Sequence, residues 1–266
     1  MTAVGRPLNY YGSKEKLCAA IHALIPPEPS TWVDLFCGSA IVTLKKPRHQ
    51  RETINDLNRD VVNLFEVIRT DRAGELYAAL ELTPYSEGVL YDVYNTERDP
   101  DPVGQARRFL IESWFARGGD AHKTGFRWSK GQNTAPEMTW AKLPARLAAV
   151  AERLRGICIR NADALKLIDD YDTSDCILFV DPPYPGPVGR RYAVKMDQAA
   201  HQLLADRLLA CKAKVILTMN PDTVYSRVLS NWIEHRVEVQ GGGQAFKGER
   251  ILTNFEPLPL LARAAQ

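Results

Sequence analysis

The segment Ile177 to Tyr184 reads ILFVDPPY, an apolar run that stops at a carboxylate, two prolines and a tyrosine. Proline fixes its own φ, lacks a backbone donor and forces the preceding residue into an extended conformation. The Asp181 carboxylate and the Pro182 carbonyl thus become rigid acceptors, with no competing N–H from Pro182 or Pro183. Such a donor-free pair suits an amino group with two hydrogens to give. The exocyclic amine of a nucleobase is a poor nucleophile, because its lone pair is delocalised into the ring. Accepting both of its hydrogens favours the pyramidal geometry that develops during attack, so the stabilisation is larger in the transition state than in the ground state. Tyr184 adds a flat face on which a base taken out of its stack could lie.

A second constellation lies upstream, at Asp34-Leu-Phe-Cys-Gly-Ser-Ala40. Gly38 and the small Ser39 let the backbone approach a ligand closely at a helix N-terminus. A glycine in a strand-to-helix turn is common, and alone it means little. The carboxylate of Asp56, about 20 positions further on, gives it meaning, because α/β nucleotide-binding folds place an acidic residue there against ribose hydroxyls. Together these residues point to an adenosine-bearing cofactor.

Both constellations need strands to hold them. The runs TWVDLFCG, GICIRNAD, CILFVDPP and KVILTMNP are β-branched or apolar stretches that end in polar or small residues, each followed by a helical pattern. That alternation predicts an α/β fold with mostly parallel strands, whose ligands sit beyond the carboxyl ends. A helix is expected to begin at Ser39, and RDVVNLFEVIR carries Val61, Val62, Leu64, Phe65 and Ile68 on one apolar face. DQAAHQLLADRLLACK reads as another helix, with Leu203, Leu204, Leu208 and Leu209. From Asp71 to Leu147 the rhythm breaks, with helical pieces and then a tract rich in Gly, basic and aromatic residues, which reads as an inserted lobe. The closing RVEVQGGGQAFKGERILTNFEPL suggests a β-hairpin whose tip, Gly241 to Gly243, is a loop and not a phosphate cradle, since no helix pattern follows.

The 266-residue chain is long enough for one large core with a smaller lobe attached. Its net charge is only +2, but between Gly104 and Arg160 there are 11 Lys/Arg against 4 Asp/Glu, a basic island of +7 on a slightly acidic body. An island of that kind suits a polyanion. Its second half, AKLPARLAAVAERLRG, also has helical spacing. The five cysteines are odd in number and scattered, without C-x-x-C pairs or nearby histidines, which predicts reduced thiols and no metal site. No segment approaches the roughly 18 apolar residues that span a bilayer, so the expected location is cytoplasmic, without a membrane partner.

The order LNYYGSKEKL, DLFCGSA, acidic residue, inserted lobe and DPPY resembles the DNA adenine-N6 methyltransferases of the Dam type along nearly the whole chain, and FKGERILTNF looks like that family's closing hairpin. The resemblance implies a Rossmann-like sheet that binds S-adenosyl-L-methionine (AdoMet) and flips a target adenine out of double-stranded DNA. It implies a catalytic domain at residues 1–70 and 148–266, with a mostly helical target-recognition lobe carrying a β-hairpin at 71–147. Carried over by position, Tyr10, Tyr11, Gly12 and Lys14 would contact the cofactor, with Asp34, Phe36, Gly38 and Ser39 in its loop and Asp56 at its ribose. Asp163, in RNADAL, falls near the cofactor adenine, and as a bare sequence feature it is a helix N-cap. Asp181, Pro182, Pro183 and Tyr184 carry the catalytic motif, with Asp181 also facing the cofactor. Ala40 departs from the pattern, a further glycine being common there. In the lobe, Arg117, Lys123, Arg127 and Lys130 would meet DNA, with Trp114, Phe126 and Trp128 able to stack or wedge. Other planar amines are served by DPPY-like motifs, so an RNA adenine-N6 or DNA cytosine-N4 enzyme and a silent DNA-binding regulator are the alternatives. Monomer or homodimer, and pairing with a nuclease, stay open at this level.

Overall fold

A computed structural model describes residues 4–119, 123–130, 135–220, 223–237 and 249–257. A short 3-10 turn at Glu15–Leu17 leads into helix α1 (Cys18–His22), strand β1 (Thr31–Asp34), α2 (Ile41–Lys45), β2 (Arg51–Asn55) and α3 (Arg59–Val67). Five helices follow: α4 (Ala73–Glu81), α5 (Glu87–Asn95), α6 (Pro102–Phe115), α7 (Pro136–Ala141) and α8 (Leu143–Arg153). The chain then returns as β3 (Ile157–Arg160), α9 (Ala164–Tyr171), β4 (Cys176–Val180), α10 (Gln198–Leu209), β5 (Lys214–Met219), α11 (Val224–Val228), β6 (Ile233–Arg236) and β7 (Arg250–Thr253).

The seven strands form one sheet in the order β3-β2-β1-β4-β5-β7-β6. The first five run parallel; β7 runs antiparallel to β5, and β6 antiparallel to β7. The β6–β7 pairing is the expected closing hairpin, and Gly241 to Gly243 lie outside the described residues. Central strands are buried on both faces, and their side chains sort with period 2. Val33, Leu178, Val180, Val215 and Leu217 pack against α9 and α10. Trp32, Ile177, Phe179 and Ile216 pack against α1 and α2. Successive units lead from β1 outward to β2 and β3, then from β4 outward to β5 on the other side. Strand order therefore reverses between β1 and β4, where an open α/β sheet leaves a crevice at its carboxyl edge.

Helix α3 buries Val61, Val62, Leu64 and Phe65, with Ile68 just past its end, as its spacing requires. Of the four leucines of α10, Leu204 and Leu208 are buried, beside His201 and Ala205, whereas Leu203 and Leu209 face solvent. The α2 helix starts at Ile41 and not at Ser39, because Gly38 (φ 47°) and Ala40 (φ 52°) take left-handed conformations that no helix admits. The glycine common at position 40 is thus a backbone requirement, which alanine meets here under strain.

The described residues between 71 and 147 include helices α4 to α7 and the start of α8, and α6 opens on Asp101 as N-cap with Pro102 in its first turn. Their core is continuous with that of α3: Leu76, Leu110, Phe115, Trp140 and Leu147 share one cluster with Val61, Leu64 and Phe65. Helix α8 runs on past residue 147, and Arg153 at its end grips Glu52 of β2 with two hydrogen bonds of 2.6 and 2.9 Å. Where the sequence suggests a lobe hairpin, the described residues form one antiparallel bridge, Ala116 to Phe126, and 120–122 lie outside them. Among the described residues no helix is long and apolar enough to cross a membrane.

Candidate active site

The crevice at the carboxyl ends of β1 and β4 is a cleft of about 1130 Å³, counted to its open mouth. Its walls include Tyr10, Tyr11, Gly12 and Lys14 of the N-terminal segment, Asp34, Phe36, Gly38 and Ser39 after β1, and Asp56 after β2. Asp163, Asp181 and Pro183 also line it. Residues scattered along the chain meet because parallel strands deliver their C-terminal ends to one edge.

The loop after β1 is held by hydrogen bonds from its neighbours. Asp56 accepts from the backbone N–H of Gly38 (2.9 Å) on one oxygen and of Asn58 (2.8 Å) on the other. Burial pushes its carboxyl up to about 6, even though both N–H bonds pull the other way. Gly38 is required by space as well as by φ, since a Cβ there would come within 2.9 Å of the Tyr10 ring. Asn55, at the end of β2, donates to the carbonyls of Leu35 and Ala162 (both 3.0 Å) and accepts from the Ala162 N–H (2.9 Å), tying the exits of three strands together. Asp163 does cap α9, accepting from the Leu165 N–H at 2.9 Å, and lines the cleft as well. Asp34 is the most deeply buried acid of the wall. Burial raises its carboxyl to about 8, opposed by Thr43, which donates to Oδ2 at 2.8 Å, and by the nearby Phe36 backbone; Oδ1 makes no hydrogen bond of normal geometry among the described residues.

At the other end of the cleft, Lys14 is only 3% exposed. Its ammonium reaches the Gly12 carbonyl (2.7 Å), Asp181 Oδ1 (2.9 Å) and Glu249 Oε1 (3.1 Å). Burial alone would discharge this lysine, but Asp181, Tyr184 and Glu249 outweigh it and hold the pKa well above the ordinary lysine value. Asp181 Oδ1 also accepts from Thr218 of β5 at 2.6 Å. Both of its donors among the described residues fall on Oδ1, so Oδ2 is unengaged. Burial, opposed by Lys14 and reinforced by Glu249, sets the Asp181 carboxyl above the usual carboxylate range.

Tyr184 differs from the sequence reading. Its ring is only 6% exposed, lies beneath the Lys14 ammonium at 4.8 Å, and gives its hydroxyl proton to Glu249, so it does not line the cleft. The reason is the buried carboxylate behind it, which holds the phenol inward. Pro182 is buried too, leaving Pro183 as the proline on the wall. Tyr192 does line the cleft, close enough to Asp181 to feel its charge, and its neighbour Gly12 (φ 78°) has no room for a side chain. Tyr192, Asn55 and Glu249 are not evident from the motifs. The one hint of Tyr192 is an aromatic in the basic GRRYAVK tract after the prolines, and of Glu249 a charge just before the apolar RILT.

The basic residues of the lobe cluster around the Ala116–Phe126 bridge. Arg117 is exposed, its Nε donating to the Phe126 carbonyl at 3.1 Å. Lys123 is exposed, and its ammonium bonds the Tyr94 carbonyl. Arg127 is half-buried, while Lys130 lies 5.3 Å over the Trp128 ring. Of the three aromatic residues, Trp128 alone is exposed, at 55%. Trp114 is core, with its indole N–H on the Pro7 carbonyl, and Phe126 packs between Tyr85 and Phe115, so neither is free to wedge into a ligand.

No curated protein sequence matches the chain. A family model does: that of the D12 class of N6 adenine-specific DNA methyltransferases fits residues 10–240, from the N-terminal tyrosine through the carboxylate-lined cleft to the closing hairpin, and the chain belongs to that family.

Proposed function

We propose that the protein methylates adenine N6 in double-stranded DNA from AdoMet, with the target base turned out of the helix into the cleft. The observation that carries this reading is Asp181, held by Lys14 and Thr218 through Oδ1 alone, on the same cleft that Asp34, Gly38 and Asp56 line. AdoMet carries a sulfonium and an ammonium, and the wall fits a cation: four carboxyl groups line it, and Asp34 Oδ1 is a buried oxygen without a side-chain partner among the described residues. Tyr10, Tyr11, Gly12, Phe36, Ser39 and Asp163 would enclose the cofactor, and Asp56 would receive its ribose. Bound there, AdoMet supplies an activated methyl group. Asp181 Oδ2 and the Pro182 carbonyl accept the two amine hydrogens and hold N6 toward pyramidal geometry. The proton that N6 must shed passes to Asp181, whose raised pKa suits an acceptor. Tyr184 serves by anchoring Lys14, and Tyr192 offers the nearer ring to a base.

The test is transfer of labelled methyl from AdoMet to matched duplex DNA and RNA, followed by nucleoside analysis. Label in N6-methyldeoxyadenosine from DNA is the expected result. Label in RNA or in N4-methylcytosine overturns the substrate assignment, and no turnover with intact DNA binding identifies a silent regulator.

Two further results are expected. Asp56→Ala removes an acceptor and also frees the Gly38 and Asn58 N–H groups, so AdoMet binding should weaken by about 10- to 100-fold, from the loss of roughly 1.5–3 kcal/mol. DNA affinity should change less than about twofold. Equal AdoMet affinity by calorimetry removes Asp56 from the site. For the lobe, Lys130→Ala should weaken binding to all duplexes and lower the logarithmic salt slope by about 0.9. Lys123→Ala should do the same, with some loosening of the loop that it ties to Tyr94. If Arg117 or Arg127 reads a base edge, its alanine variant relaxes discrimination at one position by about 1–3 kcal/mol. Unchanged slopes and specificity across these four variants place DNA elsewhere.

A further inference from the structure

Glu249 belongs to none of the motifs that mark the cleft, yet the topology delivers it there. Strand β7 runs antiparallel to β5, with Arg250 opposite Met219 and Ile251 opposite Thr218. The start of β7 therefore lies at the carboxyl edge of the sheet, where a parallel strand would bring its end. Glu249, the residue before that start, is 4% exposed. Its Oε1 takes the Tyr184 hydroxyl and the Lys14 ammonium, the latter at 3.1 Å. Its Oε2 is buried without a partner among the described residues. A carboxylate in that position holds the two groups that surround Asp181.

We propose that Glu249 is a positioning residue for the methyl transfer: by sharing the charge of Lys14 and anchoring the Tyr184 hydroxyl, it leaves Asp181 one unengaged oxygen to present to the target amine. This rests on the reading of Asp181 as the amine acceptor. An ammonium has three hydrogens, and here they go to Gly12, Asp181 and Glu249. Without the third partner, the full charge of Lys14 falls on Asp181, which becomes a weaker acceptor. The groups facing Asp181 are Lys14 from the N-terminal segment, Glu249 from the closing strand, Thr218 from β5, Asp34 from β1, and Tyr184 and Tyr192 from the loop after the motif. Glu249 is the negative neighbour among them that also holds Lys14. Its removal lowers the Asp181 pKa, because a repelling charge is lost and the attracting one is undivided.

Glu249→Gln keeps the shape and an acceptor for Tyr184 but not the charge. At saturating AdoMet and DNA its kcat should fall by about tenfold or more, or about 1.4 kcal/mol of barrier. KM for AdoMet should stay within about twofold. The acid limb of the kcat–pH profile should move to lower pH. A residue that only anchors the hairpin would leave that limb in place, so an unmoved limb, or wild-type kcat, overturns the proposal. Tyr184→Phe gives a second measure: it should reduce kcat in the wild-type background and cost less in Glu249→Gln, and additive losses overturn the shared anchor. Asp181→Ala, which keeps no side-chain acceptor, is assayed alongside. Near-normal turnover in that variant removes Asp181 as the acceptor whatever Glu249 does, whereas a large loss there with an unaffected Glu249→Gln overturns the role of Glu249 alone.

Discussion

Asp181→Ala should lower kcat for DNA methylation by about 10²–10³-fold, the effect of removing one preorganised group aimed at a developing charge, about 2.7–4 kcal/mol. Cofactor affinity should fall far less than kcat, because Asp34, Asp56 and Asp163 remain on the wall. The fold should survive, because Lys14 keeps Glu249 and the Gly12 carbonyl when Asp181 is gone. Thr218 loses its partner as well, but its hydroxyl also lies 3.4 Å from the Val180 carbonyl. The check is single-turnover methylation with AdoMet affinity measured on the same sample. Turnover near that of the wild type would end the acceptor mechanism. In the wild-type enzyme the acid limb of kcat should lie above the ordinary carboxylate range, since burial raises the Asp181 pKa and the acceptor must be ionised.

Much of this site is legible in the sequence because it is built from strand ends. The apolar runs before Asp34 and Asp181 fix both residues at the carboxyl edge, and the spacing to Asp56 brings in the neighbouring strand. What does not show is where a side chain turns after its strand stops. Tyr184 reads as a platform for a base, but it is turned inward by Glu249, which lies 65 positions away. Trp114 and Trp128 look alike as aromatics in a basic tract. One closes the core against Pro7, and the other stands in solvent beside Lys130. The lobe reads as an insertion because its rhythm differs, yet its buried residues share one core cluster with those of α3. Lys14 is the clearest case. In SKEKL it is indistinguishable from a surface lysine, and its burial is decided by carboxylates from a distant strand end and from the closing hairpin.

That burial makes Lys14 the residue whose loss should be felt most widely. Lys14→Met fills similar space but leaves Asp181 and Glu249 facing one another across an apolar side chain, and stranding buried charges in this way costs about 3–5 kcal/mol. Asp181 responds by taking up a proton, so its pKa rises further and its acid limb moves to higher pH, opposite to the shift expected for Glu249→Gln. A protonated Asp181 donates where it should accept, and activity at neutral pH should fall at least as far as in Asp181→Ala. The sign for stability follows from the same protons. In the variant the folded state binds protons more tightly than the unfolded chain, so the deficit is largest above the raised folded pKa and shrinks as pH falls toward the unfolded carboxylate value. In the wild type, Lys14 itself contributes stability that is fully present below the unfolded lysine pKa and is lost only as pH rises through its raised folded value. Urea unfolding of both proteins at pH 5 and pH 8 measures this directly. A deficit that is equal at the two pH values, or that grows on acidification, would mean that Lys14 is held by packing and that the two carboxylates do not depend on its charge.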